Sequence, residues 1–281
     1  MSALSKKIDF TVIFTVKNAN PNGDPLNGNR PRETSDGFGE VSDVCIKRKL
    51  RNRLQDMGER IFVQSDDRCD DGFDSLRARA QGQQELWGGD RTAYQTRACK
   101  LWYDVRAFGQ VFAFSGGGTG DGVSVGVRGP VSIHPAISAN PIEIESIQIT
   151  KSVNSESGDK RSSDTMGTKH RIGFGVYRFN GSINCQLAEK TGFSDEDAQK
   201  LKQALITLFE NDASSARPEG SMEVRRVIWW EHSCKSGDYP SAKVHRSVRL
   251  VPKSKNPASF EEYDIVIDPL EGLTPDVWEG Q

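Results

Sequence analysis

Five basic side chains, Lys47, Arg48, Lys49, Arg51 and Arg53, fall between Val44 and Gln55 with no acidic residue among them. At helical spacing they form two edges: Lys47, Arg48 and Arg51 on one, Lys49 and Arg53 on the other. Their chemistry is phosphate neutralisation. The chain carries a formal net charge of −2, so an all-basic segment marks a local polyanion site rather than general basicity. The competing explanation is a solvated basic helix face. Directly upstream, NANPNGDPLNGNRPR (18–32) combines Asn18, Asn20, Asn22 and Asn27 with Arg30 and Arg32. Amide donors and guanidinium forks of this kind suit a nucleic-acid backbone. A long turn braced by Asx motifs, or a contact with another subunit, accounts for the same residues.

Other chemistries find no constellation. SGGGTGDG (115–122) lacks the Gly-Lys-Ser/Thr of a phosphate-binding P-loop and reads as a hairpin tip. The four His (134, 170, 232, 245) and five Cys (45, 69, 99, 185, 234) show no metal-ligand spacing. No Gly-x-Ser-x-Gly elbow is present. The expectation is no metal and no cofactor. Widely spaced, odd-numbered cysteines point to reduced thiols in the cytoplasm. FTVIFTV (10–16) is too short to span a bilayer, and no signal peptide is expected.

The elements that must position the basic residues follow from periodicity. Phe10, Val12, Phe14 and Val16 alternate as a first strand. Gly and Pro between residues 18 and 41 exclude helix and strand interior alike. Ser42 and Asp43 then cap a helix whose apolar stripe is Ile46, Leu50, Leu54 and Met57. Residues 60–100 read as a helical insertion. Val105–Phe114 and Val123–His134 read as two strands, which places Phe108 and Gln110 on strand positions. There an aromatic could stack a base, and Phe108 could equally pack in the core. Asn180-Gly181 between alternating runs signals a hairpin. Ser194 and Asp197 form a capping box ahead of Ala198, Leu201, Leu205 and Leu208. Strands follow at 222–232, around 243–251 and at 263–267. The order suits an α+β domain with helices on one face of an antiparallel sheet, a ferredoxin-like or RRM-like core with insertions.

The motifs NPNGDP…NRPR with SDVCIKRKLR, DVRAFGQVF, VRGPVSIHPAIS, DTMGTKHRIGFGVYRFNG and FENDASSARPEGSMEVRRV occur in this order between about residues 10 and 233. Together they resemble the backbone subunit of the type I-C (Dvulg) CRISPR Cascade complex, within the RAMP superfamily. The resemblance implies a modified RRM-like palm (1–59, 101–136 and 169–235), a helical insertion (60–100), a thumb (137–168) and a C-terminal extension packed on the palm (236–281). It implies binding of guide RNA (crRNA), stacking of copies along the guide in a helical filament, and contact with other Cascade subunits. It also implies presentation of the guide for pairing with target DNA, and no nuclease activity.

The resemblance also implies that the thumb kinks the guide and displaces a base there, with Met166, Lys169 and His170, which close the thumb excursion, near that kink. With Lys47, Arg48, Arg51, Asn18, Asn20, Arg30, Arg32, Phe108 and Gln110 they form the expected RNA-binding set. GFGVYRF (173–179) matches an RNP-type aromatic strand imperfectly. The alternative reading is an endoribonuclease using an acidic residue of the 18–41 loop, Asp24 or Asp36.

Overall fold

The computed structural model describes residues 2–86, 88, 90–114, 123–150 and 166–280. The expected hairpin tip at 115–122 and the Ser-, Asp- and Lys-rich segment SVNSESGDKRSSD lie outside them.

Strand β1 (Ile8–Ala19) is buried along most of its length. It sits between β10 (Met166–Ile183) and β11 (Met222–Glu231), antiparallel to both. β14 (Asp276–Trp278) adds beyond β11, and β8 (Ala136–Pro141) then β4 (Phe38–Val41) add beyond β10. β7 (Val131–Ile133) and β9 (Ile144–Thr150) pair with the two ends of β10, giving an eight-stranded sheet. Three two-stranded sheets lie apart from it: β2 (Gly23–Asp24) with β3 (Arg30–Pro31), β5 (Gly109–Phe114) with β6 (Val123–Arg128), and β12 (Val248–Pro252) with β13 (Tyr263–Ile267).

Alternation in β1 divides the core. Phe10, Val12, Phe14 and Val16 face a layer built on α1 (Asp43–Asp56), α5 (Cys185–Thr191) and α6 (Asp195–Ile206). Ile46, Leu50 and Leu54 of α1 are at most 1% exposed in this layer. Each contributes about 1.5–3 kcal/mol relative to exposure. The Ser194–Asp197 capping box is formed. Ile13, on the opposite face of β1, packs with Val176, Ile228 and Trp230 against Val244 of α7 (Ser241–Arg246), Val248 and Tyr263. The C-terminal residues thus cover the second face of the sheet. A third cluster joins Phe62, Leu86 and Ala98 to Trp102, Val105, Phe112 and Val125. It takes in α2 (Leu76–Gln81), α3 (Arg91–Leu101) and the β5–β6 hairpin.

Four sequence expectations are revised. Residues 103–108 form a helix, α4 (Tyr103–Phe108), so the strand starts only at Gly109. The 18–41 segment holds three short strands, with β4 in the main sheet. Ser241–Arg246 is helical ahead of β12. Asn180-Gly181 makes no turn: β10 runs straight through it. Gly181 serves a close approach instead, because a Cβ there would stand 2.2 Å from the Phe10 ring. Asn180 accepts a hydrogen bond from the Thr11 hydroxyl (2.8 Å) on the neighbouring strand. Dipeptide chemistry alone cannot tell a tight turn from a tight packing contact.

Candidate nucleic-acid interface

Helix α1 begins where the sequence places it. The Ser42 hydroxyl accepts from the Cys45 N–H (3.2 Å), and Asn22 Oδ1 accepts from both the backbone N–H (2.9 Å) and the hydroxyl (3.0 Å) of Ser42. The NGDP loop is therefore fastened to the helix start.

The basic edges of α1 are not free. Lys47 pairs with Asp43 at 3.1 Å, and Arg48 donates to the Val63 carbonyl at 2.7 Å. Lys49 is buried against Asp212. Arg51 donates to Asp104 Oδ2 at 2.9 Å and lies 5.1 Å from the centre of the Phe108 ring. Arg53 donates to the Thr207 hydroxyl at 2.7 Å and pairs with Glu210. The expectation that this segment lacks acidic partners holds only within Val44–Gln55; the partners arrive from residues 43, 104, 210 and 212. Burial pulls the Lys49 ammonium below its ordinary range, with Asp212 offsetting part of that pull. Burial, then the neighbouring Arg51, lowers Arg48.

Asp104, fully buried, also accepts from the N–H groups of Phe62 (2.7 Å) and Val63 (3.1 Å). One carboxylate thus ties α1, α4 and the chain leaving α1. Such buried pairs hold segments in register and are costly to break from one side.

The loop 18–32 divides in two. Asn20 is 3% exposed; its amide donates to the Asn29 carbonyl (2.7 Å) and its backbone N–H to the Ala216 carbonyl (2.9 Å). Asn20 and Asn22 brace the loop through partners nine and twenty residues away. Asp24 accepts from the Leu26 N–H (3.2 Å) and lies 3.5 Å from Arg32. Asn18 and Asn27 are exposed, with Asn18 in the left-handed region at φ 53°, and Arg30 and Arg32 are half-buried.

Beside this loop, residues 166–171 of β10 run past the end of β1 and, among the described residues, pair only with β9. The resulting ribbon exposes Ile147, Ile149 and Met166. Ser146 stands directly opposite His170, with Oγ and Nδ1 2.9 Å apart. Arg30 Nη1 donates to the same Oγ at 3.1 Å. Lys169, exposed, donates to the Ser215 carbonyl at 2.7 Å. The loop that carries Ser215 also supplies Asp212, which binds Lys49 and, at 3.2 Å, Arg217.

The structure therefore joins Arg30, Lys169, His170, Asn20 and Lys49 through the ribbon and the 209–221 loop. Phe108 and Gln110 stand apart. Phe108 ends α4, packs against the first core and underlies Arg51. Gln110 is the second residue of β5, and its amide donates to the Val111 carbonyl (2.9 Å). Sequence reasoning missed Ser146, Asp104 and Asp212. An isolated serine in a polar run carries no signal, and the two aspartates meet α1 only through the fold.

Among the described residues no helix is long and apolar enough to cross a membrane, and no group of three or more His, Cys, Asp or Glu could hold a metal ion.

Comparison with known proteins adds the following. The family described as CRISPR-associated protein Cas7 matches residues 6–268. A protein of that description from Haloferax volcanii is 26% identical over 295 residues, covering 96% of this chain and 82% of the relative. Two solved structures, a CRISPR RNA-guided surveillance complex in a pre-nicking state and a CRISPR RNA-guided surveillance complex, align at 15% identity. Their TM-scores are 0.49 and 0.45; each covers 83% of this chain, and the alignments span 79% and 71% of the respective chains.

Proposed function

The chain belongs to the Cas7 family of CRISPR-associated proteins, and from that premise we propose that it is a non-catalytic backbone subunit that binds guide RNA in a type I-C Cascade complex. Copies of it stack along the spacer, meet other Cascade subunits and leave the guide bases open for pairing with target DNA, in the cytoplasm. The observation that carries this reading is the family match across residues 6–268. The order β11–β1–β10–β8, with α1 after β1 and α6 after β10, supports an RRM-like palm. The β9–β10 ribbon, exposing Ile147, Ile149 and Met166 past the end of β1, supports the thumb. Apolar side chains on such a ribbon suit wedging beside a displaced base.

The guide's phosphates run over the loop and ribbon, contacted by Arg30, Arg32, Lys169 and His170 with Asn18. The cations of α1 lie behind them: Lys47 and Arg48 at the margin, Lys49 and Arg51 as structural supports. Backbone contacts of this kind position an RNA without reading its sequence.

The test is incubation of the purified protein with labelled guide RNA and a divalent cation. Intact RNA with a ladder of bound states is expected. Metal-dependent cleavage that disappears in Asp24→Ala overturns the scaffold reading in favour of an endoribonuclease. The role of Asp24 in capping its own turn and pairing with Arg32 argues against that outcome.

A further inference from the structure

Ser146 belongs to no motif of the sequence, yet it holds the centre of a three-residue chain at the ribbon's base. Arg30 Nη1 donates to Ser146 Oγ at 3.1 Å, and the same oxygen lies 2.9 Å from His170 Nδ1. Backbone pairing makes Ser146 and His170 direct partners across β9–β10, while Arg30 reaches them from the separate β2–β3 pair.

Donor and acceptor chemistry gives this chain one arrangement that keeps the hydroxyl proton within it. A guanidinium can only donate, so Arg30 occupies a lone pair of the Ser146 oxygen. The hydroxyl proton has two outlets, His170 Nδ1 and the solvent that this exposed side chain meets. Among the described residues, the one in hydrogen-bond contact with Oγ that can accept is His170 Nδ1. A neutral imidazole that accepts at Nδ1 carries its own proton on Nε2. No hydrogen bond to Nε2 is formed among the described residues.

We infer that Arg30 and Ser146 are positioning residues that fix His170 in the Nε2–H tautomer, so that its ring donates a hydrogen bond to a phosphodiester oxygen of single-stranded RNA. This rests on the guide-binding reading and sharpens it. His170 acts as an oriented donor beside the cation Lys169, and Ser146, which need not touch the RNA, sets the geometry. A donor held in one tautomer binds without first losing the alternative form, which is preorganisation on the scale of a single ring.

The experiment uses the full chain and a fluorescently labelled, unstructured single-stranded RNA. Long-range 1H–15N correlation spectra, with the His170 signals assigned by their loss in His170→Ala, report the tautomer. The wild type is expected to show Nε2–H. Ser146→Ala should release the tautomer and weaken RNA binding about five-fold, the scale of one hydrogen bond. His170→Ala should weaken binding as much, and the double variant no more than either. Ser146→Thr, which keeps the hydroxyl, should restore both readouts. Ser146 is exposed, so an unchanged melting temperature separates these effects from misfolding. Tight binding by Ser146→Ala, or an Nδ1–H ring in the wild type, overturns the inference while leaving guide binding standing. A wild-type chain that ignores RNA overturns both.

Discussion

Helix α1 and the base of the β9–β10 ribbon make opposite use of charge. The helix carries five cations in twelve residues, and each meets a carboxylate, a carbonyl or a hydroxyl of this chain. The ribbon and its neighbouring loop carry fewer cations, and these also meet groups of the chain, but with more of the side chain open to solvent: Lys169 is exposed, and the Arg32 side chain is 38% exposed against 3–25% for Lys47, Lys49, Arg51 and Arg53. Charge density in a sequence measures how many ionic contacts a segment makes, not whether the partner is external. A buried cation must be paired because desolvation costs several kcal/mol, whereas a surface cation stays available to a polyanion. The densest basic run therefore holds the domain together, and the sparser one faces outward.

The largest effect should come from breaking the helix side of this contrast. Asp104→Ala leaves Arg51, the buried Phe62 N–H and the half-buried Val63 N–H without their acceptor, and should cost about 3–5 kcal/mol in denaturant unfolding. An unchanged midpoint would mean that α1 is not anchored this way. Next comes the Lys49–Asp212 pair. Asp212→Ala strands a buried ammonium and should cost about 3 kcal/mol. Adding Lys49→Met should recover most of the loss, because an apolar side chain of similar length needs no partner; an additive double variant contradicts the coupling.

The outward side is tested by salt. Arg32→Ala with Lys169→Ala should reduce the log–log salt slope of RNA binding by about 1.4, at roughly 0.7 per single-strand phosphate contact. Lys47→Ala with Arg51→Ala should lower stability and leave the slope in place. If the helix pair flattens the slope instead, the assignment of the two regions is reversed.

The smallest effect concerns a third, buried polar group. His245 donates to the Gly181 carbonyl (3.0 Å) and lies 3.6 Å from Asp9, with burial, ahead of the opposing Asp9 charge, lowering its pKa from 6.5. The unfolded chain then takes up this proton at a higher pH than the folded one. Stability should fall as pH drops from 6.5 toward the folded-state value, and His245→Gln should flatten that slope in chemical denaturation. Equal slopes in the two proteins would remove His245 as the cause.

Much of the fold was legible because its signals are local. Alternation in Phe10–Val16 gave β1, the Ser42 cap and the 3.6-residue stripe gave α1, and Ser194 with Asp197 gave the start of α6. The failures share a cause. The Tyr103–Phe108 helix, the straight run through Asn180-Gly181 and the pairing of α1 all depend on residues distant in the chain. The candidate site divides likewise: Arg30, Arg32, Lys169 and His170 were visible as polar residues in family-like motifs, and Ser146 was not.

By itself, then, the sequence determined which segments bury an apolar face, where the main helices begin, and that a basic loop–helix unit exists; these follow from side-chain periodicity and caps within a few residues. Only the tertiary structure decided which cations are spent inside the molecule and which face outward. That choice depends on carboxylates at Asp104, Glu210 and Asp212, which the fold brings to α1 from as far as 163 residues away.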